Sequence, residues 1–269
     1  MTLLKVSGLT KHYPGFILEN ISLTVPAGEI VGFIGRNGAG KTTTLRSLAG
    51  FVHPDGGEAI FFDGVGEAEI KQRTGFVSGG FTYYPKMKLR TITNITRRFY
   101  ERWDDAAYRQ YLHEFSLDEN KTPAELSEGM KVKYSLALAL SHGAELLILD
   151  EPTSGLDPVS RDELLDIFLR LRDGGIGILF STHIIADLER AADRIVYIRN
   201  GKIFAEGTLD SFEQAYRVAE LAGMPEDSQR YIGIRRERNG FSALVHAGEG
   251  IGRPAKLEEI MLHLEREEI

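Results

Sequence analysis

A glycine-rich segment of eight residues constrains this chain more than any other sequence feature. Residues 35–42 are Gly-Arg-Asn-Gly-Ala-Gly-Lys-Thr and match the pattern GxxxxGK[ST]. A short apolar run, residues 29–34, precedes the segment, and residues 41–49 follow it with Leu45 and Leu48 at a spacing compatible with a helix. This order predicts a strand, a phosphate-binding glycine loop and a helix.

The chemistry of such a loop follows from its composition. Glycines allow the backbone to curl until several N–H groups point at one anion, and the positive N-terminal end of the following helix favours the same charge. In this pattern Lys41 reaches the β and γ phosphates, and Thr42 is a magnesium ligand. The segment therefore predicts a site for a nucleoside triphosphate with Mg²⁺.

Two further apolar runs end in polar residues. Residues 146–149 lead into Asp150-Glu151, and residues 176–180 lead into Ser181-Thr182-His183. Neither run alternates with a period of two, which is typical of strands buried on both faces of a parallel sheet. Ligands bind at the carboxyl ends of such strands. There Asp150 would hold Mg²⁺ through its water shell, and Glu151 would orient or deprotonate the attacking water.

The remaining patterns suggest how the rest of the chain is organised. Residues 89–141 have helical character and predict an inserted helical subdomain, and short hairpins are predicted at residues 57–64 and at Asn200-Gly201. Beyond residue 210, residues 231–234 and 241–245 flank a turn signal, which predicts a further β-hairpin.

An amphipathic helix is predicted near the end of the chain. Leu257, Ile260, Met261 and Leu264 recur at helical spacing, so their apolar stripe packs on its own domain or docks a partner. The predicted fold is α/β, with a P-loop parallel-sheet core, an antiparallel β subdomain, the helical subdomain at about 89–141 and a small α+β appendage. The predicted boundaries are 1–209 for the nucleotide-binding domain and 210–269 for the appendage, which holds a helix, a hairpin and the amphipathic helix.

Composition excludes several classes of protein. The 269 residues include no cysteine, which excludes disulfides and thiolate metal sites. Lysine and arginine number 32 against 39 acidic residues, and the net charge of −7 argues against a nucleic-acid partner. Apolar stretches such as residues 136–149 are interrupted by polar residues before they could span a bilayer. No secretory signal is recognisable at the start, so we expect a cytoplasmic location.

With these motifs in this order, the sequence resembles the ABC ATPase family over residues 3–207. Residues 126–130, Leu-Ser-Glu-Gly-Met, lie where the family has its LSGGQ signature, although Glu128 and Met130 depart from it. Residues 152–157, Pro-Thr-Ser-Gly-Leu-Asp, resemble the D-loop that runs along the dimer interface of the family. His183 resembles the switch histidine that reaches the γ-phosphate.

The resemblance implies roles for individual residues. Tyr13, ahead of the first strand pair, stands where an aromatic residue stacks on adenine, and Ser127 and Gly129 stand where the family contacts the γ-phosphate held by the opposite subunit. Lys41, Glu151 and His183 are the implied catalytic residues, and Thr42 and Asp150 the implied magnesium ligands. The implied phosphate-loop contacts are Gly35, Arg36, Asn37, Gly38, Ala39, Gly40, Lys41, Thr42 and Thr43.

The resemblance also implies partners. Two ATP-binding subunits, in a homodimer or a heterodimer, close around two ATP molecules with Mg²⁺ and drive a separate integral-membrane permease from the inner face of the membrane. One departure concerns coupling: Gly79, followed by Gly80, replaces the glutamine usual at the end of the strand 74–78, and we hypothesise that the pair forms a hinge. The variant motifs resemble the branch that partners ABC-2-type membrane subunits, often in exporters.

Other functions agree less well with the sequence. A soluble ABC ATPase of translation or DNA maintenance usually carries a second nucleotide domain or a long coiled-coil insertion, and neither is recognisable here. A GTPase would need an NKxD motif, whereas Asn120-Lys121 is followed by Thr122-Pro123. A non-hydrolysing regulatory module would have lost Lys41, Asp150, Glu151 or His183.

Overall fold

The computed structural model describes residues 1–78, 84–225 and 230–266, which fall into two units, Met1–Ala205 and Glu206–Ile269. The strands that begin in the first unit are β1 (Thr2–Tyr13), β2 (Phe16–Pro26), β3 (Ile30–Ile34), β4 (Gly56–Phe61), β5 (Thr74–Ser78), β6 (Leu146–Asp150), β7 (Gly177–Thr182), β8 (Arg194–Arg199) and β9 (Lys202–Gly207). Its helices are α1 (Lys41–Leu48), α2 (Glu67–Arg73), α3 (Leu89–Thr96), α4 (Asp105–Glu114), α5 (Glu128–Ser141), α6 (Pro158–Asp173) and α7 (Ile185–Ala191).

The core of the first unit is a six-stranded sheet in the order β5-β6-β7-β3-β8-β9. Strands β5, β6, β7, β3 and β8 run parallel to their neighbours, and every residue of β3, β6 and β7 is buried. Burial on both faces explains why these strands have uninterrupted apolar sequences. The register pairs Asp150 with Ser181. The predicted α/β parallel-sheet core is confirmed.

A three-stranded antiparallel sheet, in the order β2-β1-β4, forms the second layer of this unit. Here the hairpin predicted at residues 57–64 is wrong. Strand β4 pairs with β1, far away in sequence, and the chain then turns through Phe62, Asp63 and Gly64, all at positive φ, before α2 begins. The residues do form a turn as their sequence predicts, but this turn connects a strand to a helix and not two strands of a hairpin.

Helices α3, α4 and α5 form the inserted helical subdomain. A buried hydroxyl cluster joins them: the Thr93 hydroxyl lies 2.8 Å from both Tyr108 Oη and Tyr134 Oη, and Tyr134 Oη donates to the carbonyl of Leu89 at 3.0 Å. Burial, opposed by the Thr93 hydrogen bond, raises the pKa of Tyr108 to about 12. These tyrosines are therefore structural hydrogen-bonding groups.

The Asn200-Gly201 pair connects β8 to β9, as predicted. Both residues have positive φ, 49° and 78°, which is the conformation that a two-residue type I′ turn requires. The Gly201 N–H donates to the carbonyl of Ala39 at 3.0 Å, so this turn supports the glycine loop.

The second unit contains β10 (Tyr216–Leu221), β11 (Ile232–Glu237), β12 (Gly240–His246), β13 (Arg253–Pro254), α8 (Leu209–Ala215) and α9 (Leu257–Leu264). Its sheet has the order β11-β12-β10-β13, and β11 and β12 form the predicted hairpin. The apolar stripe of α9 is buried and the helix contacts β11, β12 and α8, so it packs within its own unit. No helix in the described part of the chain is long and apolar enough to span a bilayer.

Candidate functional site

The glycine loop between β3 and α1 wraps around the ammonium group of Lys41. Lys41 Nζ donates to the carbonyls of Gly35 at 2.6 Å and Arg36 at 3.2 Å, and its side chain is only 5% exposed. The loop needs glycine at two of its positions. A Cβ at Gly35 would lie 2.3 Å from the Ile198 carbonyl, and Gly40 has φ 113°, which side chains rarely tolerate.

A hydroxyl and a carboxylate meet beside the loop. Thr42, in the first turn of α1, donates from Oγ1 to Asp150 Oδ1 at 3.2 Å, and Asp150 ends the buried strand β6. Oxygen donors of this kind suit Mg²⁺, which usually takes one or two protein ligands and fills its other positions with phosphate oxygens and water. Thr42 and Asp150 therefore fit a magnesium ion that is bound together with a nucleotide.

Ser181 connects the two acidic residues of this site, a role that the sequence motifs do not indicate. Its hydroxyl donates to Asp150 Oδ1 at 2.9 Å and accepts from the Glu151 N–H at 2.9 Å, and the residue is fully buried. The available signal was the polar residue at the end of a wholly apolar run on β7. Its role depends on the register between β6 and β7, which a sequence does not give.

Glu151 lies between a cation and a histidine. One carboxylate oxygen is 3.3 Å from Lys41 Nζ and the other is 2.8 Å from His183 Nδ1. Glu151 has φ 50°, a left-handed conformation that costs a non-glycine residue about 1–2 kcal/mol. That backbone conformation comes directly after the end of β6, where the chain leaves the sheet. A carboxylate held in this way can accept a proton from a water molecule beside a terminal phosphate.

The segment after Glu151 leads into a long helix. Asp157 caps α6 by accepting from the N–H groups of Val159 and Ser160, both at 3.1 Å, and from the Ser160 hydroxyl at 2.6 Å. The Ser160 hydrogen bonds lower the pKa of the Asp157 carboxyl. The cap therefore fixes the end of the Pro152–Asp157 segment.

Three other predicted site residues, Tyr13, Ser127 and Gly129, lie at the end of β1 and at the start of α5. Tyr13 is the last residue of β1, at the β1–β2 turn, so it ends the first strand of the pair and does not precede it. Tyr13 is 40% exposed, and Lys11 Nζ lies 5.9 Å from the centre of its ring. Ser127 caps α5 by accepting from the Met130 N–H at 3.3 Å, and Gly129 is buried.

Among the described residues, no hydrogen bond or ion pair joins Tyr13 or Ser127 to the Lys41–Glu151 cluster. Gly79 and Gly80, the proposed hinge, lie outside the described residues. The structure thus brings Lys41, Thr42, Asp150, Glu151 and His183 together, and the roles of Tyr13, Ser127 and Gly129 stay predictions.

Comparisons with known proteins agree with this arrangement. A protein-family model described as ABC transporter matches residues 18–154. The ABC transporter ATP-binding protein YtrB of Bacillus subtilis is 32% identical over 210 residues, which are 77% of this chain and 72% of the relative. The Nod factor export ATP-binding protein I of Burkholderia lata is 38% identical over 202 residues, which are 71% of this chain and 66% of the relative. A solved structure of an ATP-binding subunit of an ABC transporter has a TM-score of 0.71 and 32% identity, covering 78% of this chain and 92% of that one.

Proposed function

The chain belongs to the ABC transporter ATP-binding family and is an ATPase, and on this premise we propose that two such subunits close around two ATP molecules and drive a separate membrane permease. The observation that supports the hydrolytic part of the proposal is the cluster of Lys41, Asp150, Glu151 and His183 at the ends of three adjacent parallel strands. A terminal phosphate at this edge of the sheet would lie within reach of all four side chains.

Lys41 and the loop around it hold the phosphates. The loop carbonyls that now accept from Lys41 Nζ keep the ammonium group at the mouth of the loop. When the β and γ phosphates enter, they offer Lys41 several anionic oxygens as charge-assisted partners, whereas Glu151 offers one oxygen at 3.3 Å. Transfer of Lys41 to the phosphates releases one oxygen of Glu151. Nucleotide binding thereby frees the group that the chemical step needs.

Thr42 and Asp150 would hold Mg²⁺. When bound there, the ion neutralises charge on the phosphate oxygens. Asp150 is held in place by the Ser181 hydroxyl, so its carboxylate does not depend on the metal for its orientation.

Glu151 and His183 act on the terminal phosphate. Glu151 accepts a proton from the attacking water, the water oxygen bonds to the γ-phosphorus, and the bond from that phosphorus to the bridging oxygen of ADP breaks. His183 contacts Glu151 at Nδ1, which turns its other ring nitrogen away from this carboxylate. That nitrogen is suited to a γ-phosphate oxygen.

The second subunit contributes Ser127 and Gly129, as the family resemblance implies. The N-terminal end of a helix favours an anion, and α5 begins at this pair. ATP would then join two subunits, and loss of the γ-phosphate after hydrolysis would let them separate. The Nod factor relative is named as an export protein, and we propose an export role for this chain as well. The working complex would sit at the inner face of the cell membrane through its permease.

Two substitutions test the chemistry. Lys41→Ala should abolish tight ATP binding, because it removes the cation of the loop. Glu151→Gln should bind ATP normally and lower the hydrolysis rate by about 100-fold or more, the usual contribution of a general base. The measurements are phosphate release and equilibrium binding of ATP. Glu67→Gln is the matched control, since Glu67 is exposed and, in the part of the chain that the structure describes, pairs only with Lys71 on its own helix. Normal turnover in Glu151→Gln would remove Glu151 from the catalytic role.

A separate experiment tests whether this chain is bound to a membrane permease. Tagged protein purified from detergent-solubilised membranes of its host should bring with it a protein with several membrane spans. Ribosomal or DNA-bound partners in its place would contradict the transporter role.

A further inference from the structure

A buried carboxylate, Asp187, lies behind the catalytic residues. It belongs to the first turn of α7 and is 1% exposed. Burial raises the pKa of its carboxyl, although a hydrogen bond from Thr153 opposes this effect. A buried charge is costly, and apolar residues of similar size often stabilise a core as well or better. Packing alone therefore does not explain an aspartate here.

One oxygen of Asp187 joins the two segments that carry the catalytic pair. Asp187 Oδ2 accepts from Thr153 Oγ1 at 2.6 Å and from Thr182 Oγ1 at 3.3 Å, and both threonines are 1% exposed. Thr153 follows Glu151 by two residues, and Thr182 directly precedes His183. The same carboxylate oxygen therefore sets the distance between the loops after β6 and β7.

The other oxygen lies at ion-pair distance, but not at hydrogen-bond distance, from Arg161. Asp187 Oδ1 lies 3.9 Å from Arg161 Nε, and neither atom has a hydrogen-bond partner within the described ranges. A second nitrogen of Arg161 donates to the Leu156 carbonyl at 3.4 Å. Leu156 belongs to the Pro152–Asp157 segment, so contacts lead from this segment through Arg161 to Asp187.

We propose that Asp187 is a positioning residue for ATP hydrolysis, which holds Glu151 and His183 in contact through Thr153 and Thr182 and receives the movement of the Pro152–Asp157 segment through Arg161. This inference rests on the proposed catalytic roles of Glu151 and His183. A displacement of this segment would change the 3.9 Å separation between Arg161 Nε and Asp187 Oδ1. A misplacement of about 1 Å can cost about 100-fold in rate.

A matched pair of substitutions at Thr153 tests whether its hydrogen bond to Asp187 positions Glu151 and His183. Thr153→Val keeps the shape but removes the hydroxyl donor, and we expect it to lower kcat by about tenfold or more while the Kd for a non-hydrolysable ATP analogue changes less than about twofold. Thr153→Ser retains the donor and should keep kcat within about twofold of the parent value. If Thr153→Val lowers only Tm, and kcat per folded molecule is unchanged, the residue is merely structural and the proposal fails.

The Arg161 contact is tested by a double-mutant cycle in kcat. Arg161→Gln and Asp187→Asn each break the contact, so the double variant should be no slower than the slower single variant. Effects that multiply in the double variant would show that the two side chains act independently and would overturn this part. If Thr153→Val does not fold, Asp187→Asn is the second test of the positioning role. Asn keeps the shape of the Asp187 side chain, and we expect this variant to lower kcat without changing the affinity for the ATP analogue.

The outcome for Glu151→Gln separates this inference from the proposed function. Slow hydrolysis in Glu151→Gln together with normal kcat in Thr153→Val and Asp187→Asn would contradict the positioning role of Asp187 and leave the catalytic role of Glu151 in place. Normal hydrolysis in Glu151→Gln would contradict the catalytic role of Glu151 and, because it rests on that role, the positioning role of Asp187 as well.

Discussion

Removal of the Ser181 hydroxyl should damage both the stability and the activity of the first unit. Ser181→Ala deletes a donor to the Asp150 carboxylate and leaves the Glu151 N–H without its acceptor. A buried donor without a partner costs about 1–3 kcal/mol, and a hydrogen bond to a charged group contributes about 1.5–3 kcal/mol. The two losses share one hydroxyl and are not additive. We expect the free energy of unfolding to fall by about 2 kcal/mol.

The same change should slow hydrolysis. The Glu151 N–H bond to Ser181 helps to hold Glu151 at its positive φ of 50°. Without that bond the backbone can relax, and the carboxylate moves relative to the phosphate. A shift of about 1 Å corresponds to as much as about 100-fold in rate, so we expect kcat to fall by about 10- to 100-fold.

Thermal unfolding and phosphate release measure the two effects. For a unit of this size, about 2 kcal/mol corresponds to a Tm decrease of about 4–8 °C. Ser141→Ala is the matched control. Ser141 is equally buried, and its hydroxyl donates to the Ala137 carbonyl of its own helix at 2.5 Å, so its loss should cost less than about 1 kcal/mol and leave kcat unchanged. Equal Tm and equal kcat in the two variants would refute the reasoning.

Two further predictions concern a buried histidine and Tyr13, the predicted adenine contact. Burial lowers the pKa of His142 from 6.5 to about 4, so the unfolded chain binds the proton first, and stability that is complete above about pH 6.5 is lost as the pH falls towards 4. The loss amounts to roughly 3 kcal/mol, and urea unfolding of His142→Gln should show a shallower pH dependence than the parent; equal slopes would contradict the assignment. Tyr13→Ala should weaken ATP binding by about 5- to 10-fold, as expected for loss of aromatic stacking, while Tyr13→Phe should bind as the parent does. Equal affinities of the Ala and Phe variants in a titration with ATP would exclude stacking at Tyr13.

The sequence was sufficient to predict features that depend only on residues close to one another along the chain. The glycine loop, the apolar strands and the Asn200-Gly201 turn are each specified by consecutive residues, and the structure confirms these elements. The acidic pair after residue 149 was recognisable because it follows a wholly apolar run. The proximity of Lys41 and Glu151 could be expected, since parallel strands bring their carboxyl ends to one edge.

Features that depend on distant pairing could not be predicted. Strand β4 was assigned a neighbour next to it in sequence, whereas it pairs with β1. The role of Ser181 requires the β6–β7 register, and the contacts of Asp187 require the helix after β7 to fold back on the loop after β6. Each of these two features depends on a single serine or aspartate, residue types that are common at such positions, so no sequence motif predicts it.

The register of β6 and β7 also limits how this family member can diverge in length. Asp150 is paired with Ser181 within a buried parallel ladder, and successive side chains of a strand point to opposite faces. One inserted or deleted residue in β7 would shift Ser181 and His183 by about 3.3 Å along the strand and turn their side chains to the opposite face of the sheet. Length changes should therefore accumulate in the exposed turns, such as the one between α1 and β4, while these strands keep a fixed number of residues. A natural or designed relative that altered the length of β7 and still hydrolysed ATP would need a compensating change in β6.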